Sequence, residues 1–215
     1  MNLAASVLAF ILTSTMVYGQ ENYEVIIENI HNQVLYVETP DSKYVKFQGY
    51  IDQYSAFDIE NVLSTTGSKQ LRMNSYGGLA MTGYQLGFYI EENNIEVVID
   101  EGSRCVSACA FAAIRSKTLK INNDGLMFHL PYTTQISIKE TLEDFKKEND
   151  ISLSLLIRYL REMNFTLDFI DLIVYGSDIN KFIVIESVSD LEHFKSDDFL
   201  EEISIEGKYK IVEMP

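Results

Sequence analysis

The chain has 215 residues, a length that suits one well-buried domain and is short for two. Hydrophobic residues make up 47% and charged residues 23%, the balance of an ordinary folded protein rather than a disordered one. Because the formal net charge is −15 and no run of Lys and Arg supplies a basic patch, the sequence argues against a nucleic-acid partner.

The first predicted element is a secretory signal peptide over residues 1–19. An almost wholly apolar run from Leu3 to Val17 precedes small residues at the cleavage spacing, although no Lys or Arg stands before that run. The alternatives are an uncleaved N-terminal anchor and a buried first helix. We therefore expect an exported protein, periplasmic or secreted, whose mature chain over 20–215 forms one domain. We expect no membrane segment after the leader, because no later run reaches about 18 apolar residues.

Up to Leu130 the mature chain alternates predicted strands and helices. Alternating, β-branched and aromatic-rich segments predict strands at 23–30, 33–38, 44–51, 70–73, 95–99, 117–121 and 125–130. Apolar residues at helical spacing predict helices at 55–63, 80–91 and 105–114, the first capped by Ser55.

The second half is richer in helix. We predict helices at 139–149, 153–163, 167–174 and 190–194, with strands at 182–185 and 209–212. The order of elements predicts an α/β domain with a largely parallel sheet and helices gathered in the C-terminal half.

Three short segments, each at the end of a predicted strand, carry residues suited to chemistry. Gly77 and Gly78 follow one strand, and such a pair can turn with positive φ and offer bare amides to an anion. Ser107 lies among small residues at a strand-to-helix junction, where the amide of Ala108 can point the same way as the hydroxyl. His129 ends an apolar strand and is the most economical base for Ser107 among the three histidines. Taken singly, these are more simply a turn, a helix N-cap and a core histidine.

The two cysteines, Cys105 and Cys109, flank Ser107. Their spacing of four residues places the α-carbons about 6 Å apart in a helix, within disulfide range, and an exported protein meets an oxidising compartment. We expect a disulfide that braces local geometry, with two buried free thiols as the alternative. No histidine lies at a ligand spacing from them, so we expect no metal site, and the chain shows no sign of a cofactor.

Together the segments resemble the proteolytic subunit of Clp protease, within the wider Clp protease and crotonase superfamily. The resemblance rests on Asn-Ser-Tyr-Gly-Gly, Cys-Val-Ser-Ala-Cys-Ala and Phe-His-Leu-Pro in that order, and covers about residues 45–189. It is closest to exported relatives whose serine also lies between two cysteines. It implies a spiral of ββα units, Ser107 as nucleophile, His129 as general base, and the amides of Gly78 and Ala108 as oxyanion hole. A homo-oligomer is implied as well.

The acid of the implied triad has three candidates. Asp178 is the acid in the matching segment, Asn180 falls at the acid's place in another register, and Asp171 is more distant. The chain also departs from the family at Tyr76, where the protease usually has proline.

The leading hypothesis is an exported serine peptidase or related acyl hydrolase that acts on a peptide or protein substrate. The alternative is a catalytically inactive module that keeps the fold and binds a peptide or acyl ligand. A crotonase-like acyl-thioester enzyme and a Ser-Lys hydrolase are less favoured. Export separates the chain from coenzyme A, and no lysine is singled out by its position.

Overall fold

The structure, a computed structural model, describes residues 22–28, 32–122, 125–131, 142–177, 180–196 and 207–213. The predicted signal peptide over 1–19 and the predicted triad residue Asp178 lie outside these described residues.

The described residues form strands and helices that alternate along much of the chain. The strands are β1 (Asn22–Glu28), β2 (Gln33–Glu38), β3 (Lys43–Ile51), β4 (Gln70–Gly78), β5 (Glu96–Ile99), β6 (Cys105–Val106), β7 (Lys120–Ile121), β8 (Leu126–Phe128), β9 (Lys181–Ile185) and β10 (Lys210–Glu213). The helices are α1 (Gln53–Thr66), α2 (Ala80–Glu92), α3 (Ala108–Ala113), α4 (Leu142–Arg161), α5 (Leu167–Gly176) and α6 (Val188–His193).

The strands belong to one mixed sheet whose middle is parallel. β4 pairs in parallel with β3, β5 and β6, while β5 pairs with β7 and β6 with β8 in the same sense. Antiparallel pairs extend the sheet at both sides, through β1 and β2 next to β3 and through β9 and β10 next to β8. The predicted α/β class with a largely parallel sheet is confirmed.

The sheet forks at β4. Residues 70–72 pair with β5, whereas Ser75, further along the same strand, pairs with Cys105 of β6. Each following unit then gives one strand to each branch and ends in a helix: β5, β6 and α3, then β7, β8 and α4. This repeated strand–strand–helix order is the predicted ββα arrangement, and it places the ends of β6 and β8 side by side.

Helix α3 is the most deeply buried helix near that junction. All six of its residues are fully buried, and its sequence is mostly Ala and Cys, so neighbouring backbones can approach closely. The backbones of α2 and α3 approach closely at Gly83 of α2, because a Cβ there would lie 2.6 Å from the carbonyl oxygen of Ala108. The short side chains fix α2 tightly against α3.

Several predicted boundaries were wrong, and three of these differences have a clear physical reason. Helix α1 is capped by Asp52, and Ser55 instead completes a capping box by accepting from the Asp52 amide at 2.9 Å. Helix α3 begins at Ala108 rather than Cys105, because Cys105 and Val106 are extended and pair with strands on both sides. The two helices predicted at 139–149 and 153–163 form the single helix α4, and neither Gly nor Pro interrupts the sequence between them.

Across the part of the chain that the structure describes, no helix is both long enough and apolar enough to cross a membrane.

Candidate active site

Ser107 lies at a sharp turn between β6 and α3. Its backbone has φ 54° and ψ −120°, a region that non-glycine residues rarely adopt and that costs roughly 1–3 kcal/mol. A strained strand-to-helix turn of this kind can present a serine hydroxyl at the end of a sheet, as the nucleophile elbow of hydrolases does. The Ser107 side chain makes no capping hydrogen bond to α3, so the simpler N-cap interpretation of this serine does not hold.

Backbone contacts on both sides hold this turn in place. The Ser107 amide donates to the carbonyl of Met127 at 2.8 Å, and the Ser107 carbonyl accepts from Phe111 at 3.0 Å. The structure contains the disulfide expected between Cys105 and Cys109, with α-carbons 5.1 Å apart and both residues fully buried. The disulfide therefore bridges the turn from the residue before Val106 to the first turn of α3.

Gly77 and Gly78 lie directly against the turn. Both have positive φ, 96° and 152°, which L side chains rarely adopt. A Cβ on Gly77 would lie 2.6 Å from the carbonyl oxygen of Val106 and 2.8 Å from Cβ of Ser107, while one on Gly78 would collide with the backbone of Ile51. Only glycine fits at these two positions, and its absence of a side chain brings the β4 backbone next to the serine.

Ala108 contributes an amide to the same place. It is the first residue of α3, a position whose N–H has no acceptor within the helix. The Cβ position of Gly77 would be 3.2 Å from that nitrogen. The structure thus brings together the glycine pair, the Ser107 turn and the Ala108 amide.

His129 lies at the end of the strand next to β6. Val106 pairs in parallel with Met127, so Ser107 and His129 follow that pair by one and two residues. Neighbouring strands are about 4.8 Å apart, which places both side chains at the same sheet edge. Ser107 and His129 are each 8% exposed, so both side chains are largely shielded from solvent.

The surroundings of the imidazole favour its neutral form. Burial lowers the pKa of His129, and the hydrogen bond to the Leu130 carbonyl opposes this only in part. That bond joins Nδ1 to the carbonyl oxygen at 2.9 Å, and since a carbonyl only accepts, Nδ1 carries the proton. In the neutral ring Nε2 is then the nitrogen able to accept a proton, as a general base must.

Two of the three candidates for the triad acid lie among the described residues. Asp171 and Asn180 are exposed, and Asp178 is outside the described residues. Ser177, immediately before Asp178, accepts a hydrogen bond from the amide of Leu130 at 2.9 Å. Ser177, the described residue before Asp178, is therefore bonded to the residue that follows His129.

Two contacts of this region were missed by the sequence analysis. One is the Ser177 hydroxyl just described, and the other is Phe182, whose ring meets the His129 ring edge-on with centroids 5.0 Å apart. Residues 130 and 177 are 47 positions apart, and no local pattern in the sequence indicates such a pairing.

Among the described residues, no group of three or more His, Cys, Asp and Glu side chains is arranged to hold a metal ion.

Comparison with known proteins gives a distant structural likeness. No protein-family profile matches the sequence, and no curated protein matches it. The fold is similar to a solved structure of a serine-to-alanine mutant of the 1510-N membrane-bound stomatin-specific protease. The two share 13% identity with a TM-score of 0.45, over 76% of this chain and 78% of that one. Both values are low, so this likeness assigns no function to the chain.

Proposed function

We propose that the protein is a serine hydrolase of the Clp protease type that cleaves peptide or related acyl substrates. The observation that carries this proposal is the backbone of Ser107, held at φ 54° between β6 and α3 with His129 ending the adjacent strand. A serine that only capped a helix would need neither the strained backbone nor a glycine pair packed against it.

The proposed reaction begins with proton transfer from Ser107 Oγ to Nε2 of His129. The oxygen attacks the substrate's carbonyl carbon, and the amides of Gly78 and Ala108 donate to the oxyanion that forms. The bond to the leaving group then breaks, and the imidazolium returns its proton to the departing amine or alcohol. Water, deprotonated by His129, hydrolyses the acyl-serine and regenerates the hydroxyl.

We assign the acid of the triad to Asp178. Residues before and after Asp178 in the chain support this assignment. Ser177 accepts a hydrogen bond from the Leu130 amide, and Phe182 packs against the imidazole of His129. The Leu130 carbonyl already orients the ring, and a carboxylate would add the charge that stabilises the imidazolium. Asp178→Asn should slow acylation by roughly 10²–10³-fold, because it removes the charge that stabilises the imidazolium while the Leu130 carbonyl still sets the tautomer. Asp171→Asn, a matched change of an exposed acid on α5, should leave the rate unchanged.

We place the protein outside the cytoplasm. A disulfide in the core is typical of oxidising compartments, and the apolar run at residues 3–17 fits a leader. Expression with the leader in a bacterial host, followed by fractionation and N-terminal mass analysis, tests this. A chain retained in the cytoplasm with residues 1–19 intact would contradict export.

The catalytic proposal is tested with a neutral alkyl fluorophosphonate, which forms a covalent bond with activated serines. We expect one adduct per wild-type chain, no adduct in Ser107→Ala, and a rate lowered roughly 10²–10⁴-fold in His129→Gln. Circular dichroism and thermal unfolding should show all three chains folded.

A binding module without catalysis is the second candidate. It is favoured by the exposure of Asp171 and Asn180, two of the three residues considered for the place of the triad acid. A folded wild-type chain that remains unlabelled, yet binds peptides in a calorimeter, would select this alternative over the hydrolase.

A further inference from the structure

An exposed cation stands at the rim of the proposed active site. The guanidinium carbon of Arg104 lies 5.3 Å from the centre of the Tyr76 ring, within the range of a cation–π contact. Tyr76 is 64% exposed, and Arg104 is exposed as well. Tyr76 immediately precedes Gly77, which packs against Ser107, and Arg104 is three residues before Ser107. The Arg104–Tyr76 pair therefore borders the turn that carries the serine.

The backbone beneath this pair is clamped. The Arg104 amide donates to Oδ1 of Asn74 at 3.0 Å, and its carbonyl accepts from the Ser75 amide at 2.6 Å. These two bonds tie the segment before Ser107 to the end of β4. They fix the position of the Arg104 backbone relative to Gly77 and Gly78.

The charge of Arg104 is not neutralised within the described part of the chain. No described carboxylate lies within ion-pair distance of its guanidinium, whereas the nearby Asp100 pairs with Arg72 at 3.4 Å. The chain as a whole has 32 acidic and 17 basic residues, so a positive charge at this rim contrasts with the rest of the molecule. A local positive potential at a site attracts anionic ligands and raises their encounter rate.

A purely structural role accounts poorly for the pair. Both side chains are exposed, so the contact buries little apolar surface, and an exposed cation–π contact stabilises a fold only slightly. The fixed backbone, the orienting aromatic ring and a charge that no described carboxylate pairs with are instead what recognition of an anion requires.

We propose that Arg104, oriented by Tyr76, is a specificity-determining residue that selects substrates with a carboxylate close to the scissile acyl group. The proposal rests on the function proposed for Ser107. The favoured substrates are peptides with an acidic side chain near the cleaved bond, or acyl groups that end in a carboxylate.

The test compares two fluorophosphonates of equal chain length, one ending in a methyl ester and the other in a free carboxylate. Second-order rate constants for Ser107 modification are measured for the wild type, Arg104→Gln, Arg104→Lys and Lys117→Gln. Lys117 is a matched control, because it is an exposed cation after the C-terminal end of α3. Each glutamine variant removes one positive charge.

The wild type should react faster with the carboxylate probe. Arg104→Gln should lower that preference about two- to fivefold, mainly by slowing the reaction with the carboxylate probe, as expected for one charge pair near a surface. Arg104→Lys should retain most of the preference, and Lys117→Gln all of it. Raising the salt concentration to 1 M should weaken the preference of the wild type.

Equal slowing of both probes in Arg104→Gln would mean that the arginine only supports the fold, and the proposal would be overturned. Unchanged rates with both probes would overturn it as well. Failure of the ester probe to label the folded wild type would instead refute the function proposed for Ser107, and this inference with it.

Discussion

The two ends of helix α3 are held by different means. At the N-terminal end the strained Ser107 turn is bridged by the disulfide between Cys105 and Cys109. After the C-terminal end the buried Arg115 bonds to Glu91 at 2.5 Å and to Glu162 at 3.0 Å. Its guanidinium also lies 3.8 Å from the centre of the Phe88 ring.

Under the proposed function, the N-terminal end of α3 serves reactivity and the C-terminal end serves stability. The N-terminal end carries about 1–3 kcal/mol of backbone strain, and the glycine pair and the disulfide lie around Ser107 there. The C-terminal end joins α2, α3 and α4 through one cation, and Tyr159 of α4 adds a hydrogen bond to the Phe111 carbonyl at 2.7 Å. Substitutions at the first end should therefore change fluorophosphonate labelling, and those at the second should change stability alone.

The largest effect is expected for Gly77→Ala. The new Cβ would lie 2.6 Å from the Val106 carbonyl at a φ of 96°, so the turn must shift. We expect labelling to fall by about 10²-fold or more, and the free energy of unfolding to fall by about 3–4 kcal/mol. Labelling kinetics and urea denaturation measure the two quantities.

Gly67→Ala is the control for this change. Gly67 also has a positive φ, 64°, but nothing lies within 4 Å of its Cβ position. It should cost about 1–2 kcal/mol of stability and leave labelling unchanged. If Gly77→Ala behaved like Gly67→Ala, close packing against Ser107 would have no functional meaning.

Arg115→Met should lower the free energy of unfolding by about 2–3 kcal/mol. It removes a buried guanidinium and its ring contacts, but the carboxylates of Glu91 and Glu162 are over a third exposed and regain water. Labelling at 25 °C should stay within about twofold of the wild type, because Ser107 is at the other end of α3.

Arg158→Met is the control for Arg115→Met, because it removes an exposed partner of the same Glu162 carboxylate. Arg158 pairs with Glu162 at 3.1 Å, but its side chain is 79% exposed, so the variant should lose less than about 0.5 kcal/mol. A loss of labelling in Arg115→Met, measured well below its unfolding temperature, would contradict the division between the two ends.

Among the variants expected to change labelling, the double variant Cys105→Ala/Cys109→Ala should have the smallest effect on stability. Closing so short a loop stabilises a chain by about 2 kcal/mol in the loop-entropy account. Labelling should nevertheless drop by up to about 10²-fold, because the serine turn loses its bridge. A stability loss like that of Arg115→Met, without a change in labelling, would show that the disulfide does not position Ser107.

The sequence predicted the elements that depend on local pattern. Helix α2 was predicted within one residue, and the buried strand at 95–99 was found as β5, because apolar spacing alone specifies each. The start of α3 was wrong, since the choice between strand and helix at Cys105 depends on pairing with Ser75 and Leu126. Local propensity does not contain that information.

The residues of the candidate site likewise differ in whether the sequence could reveal them. Gly77, Ser107 and His129 stand out in combination, because each lies at the end of a predicted strand, although each taken singly has a simpler interpretation. Arg115 did not stand out, because its two carboxylate partners lie 24 and 47 residues away in the sequence. The contact between Arg104 and Tyr76 likewise becomes visible only when β4 and β6 lie side by side.

The central claim is that His129 activates Ser107, and the pH dependence of neutral-probe labelling tests it most directly. Labelling requires the neutral imidazole, and burial lowers the pKa of His129 below its ordinary value of 6.5. The rate constant should therefore rise with pH to a plateau with a midpoint below 6.5, and this limb should be absent in His129→Gln. A rate that rises steadily to pH 10, equally in both chains, would show that hydroxide rather than His129 activates the serine.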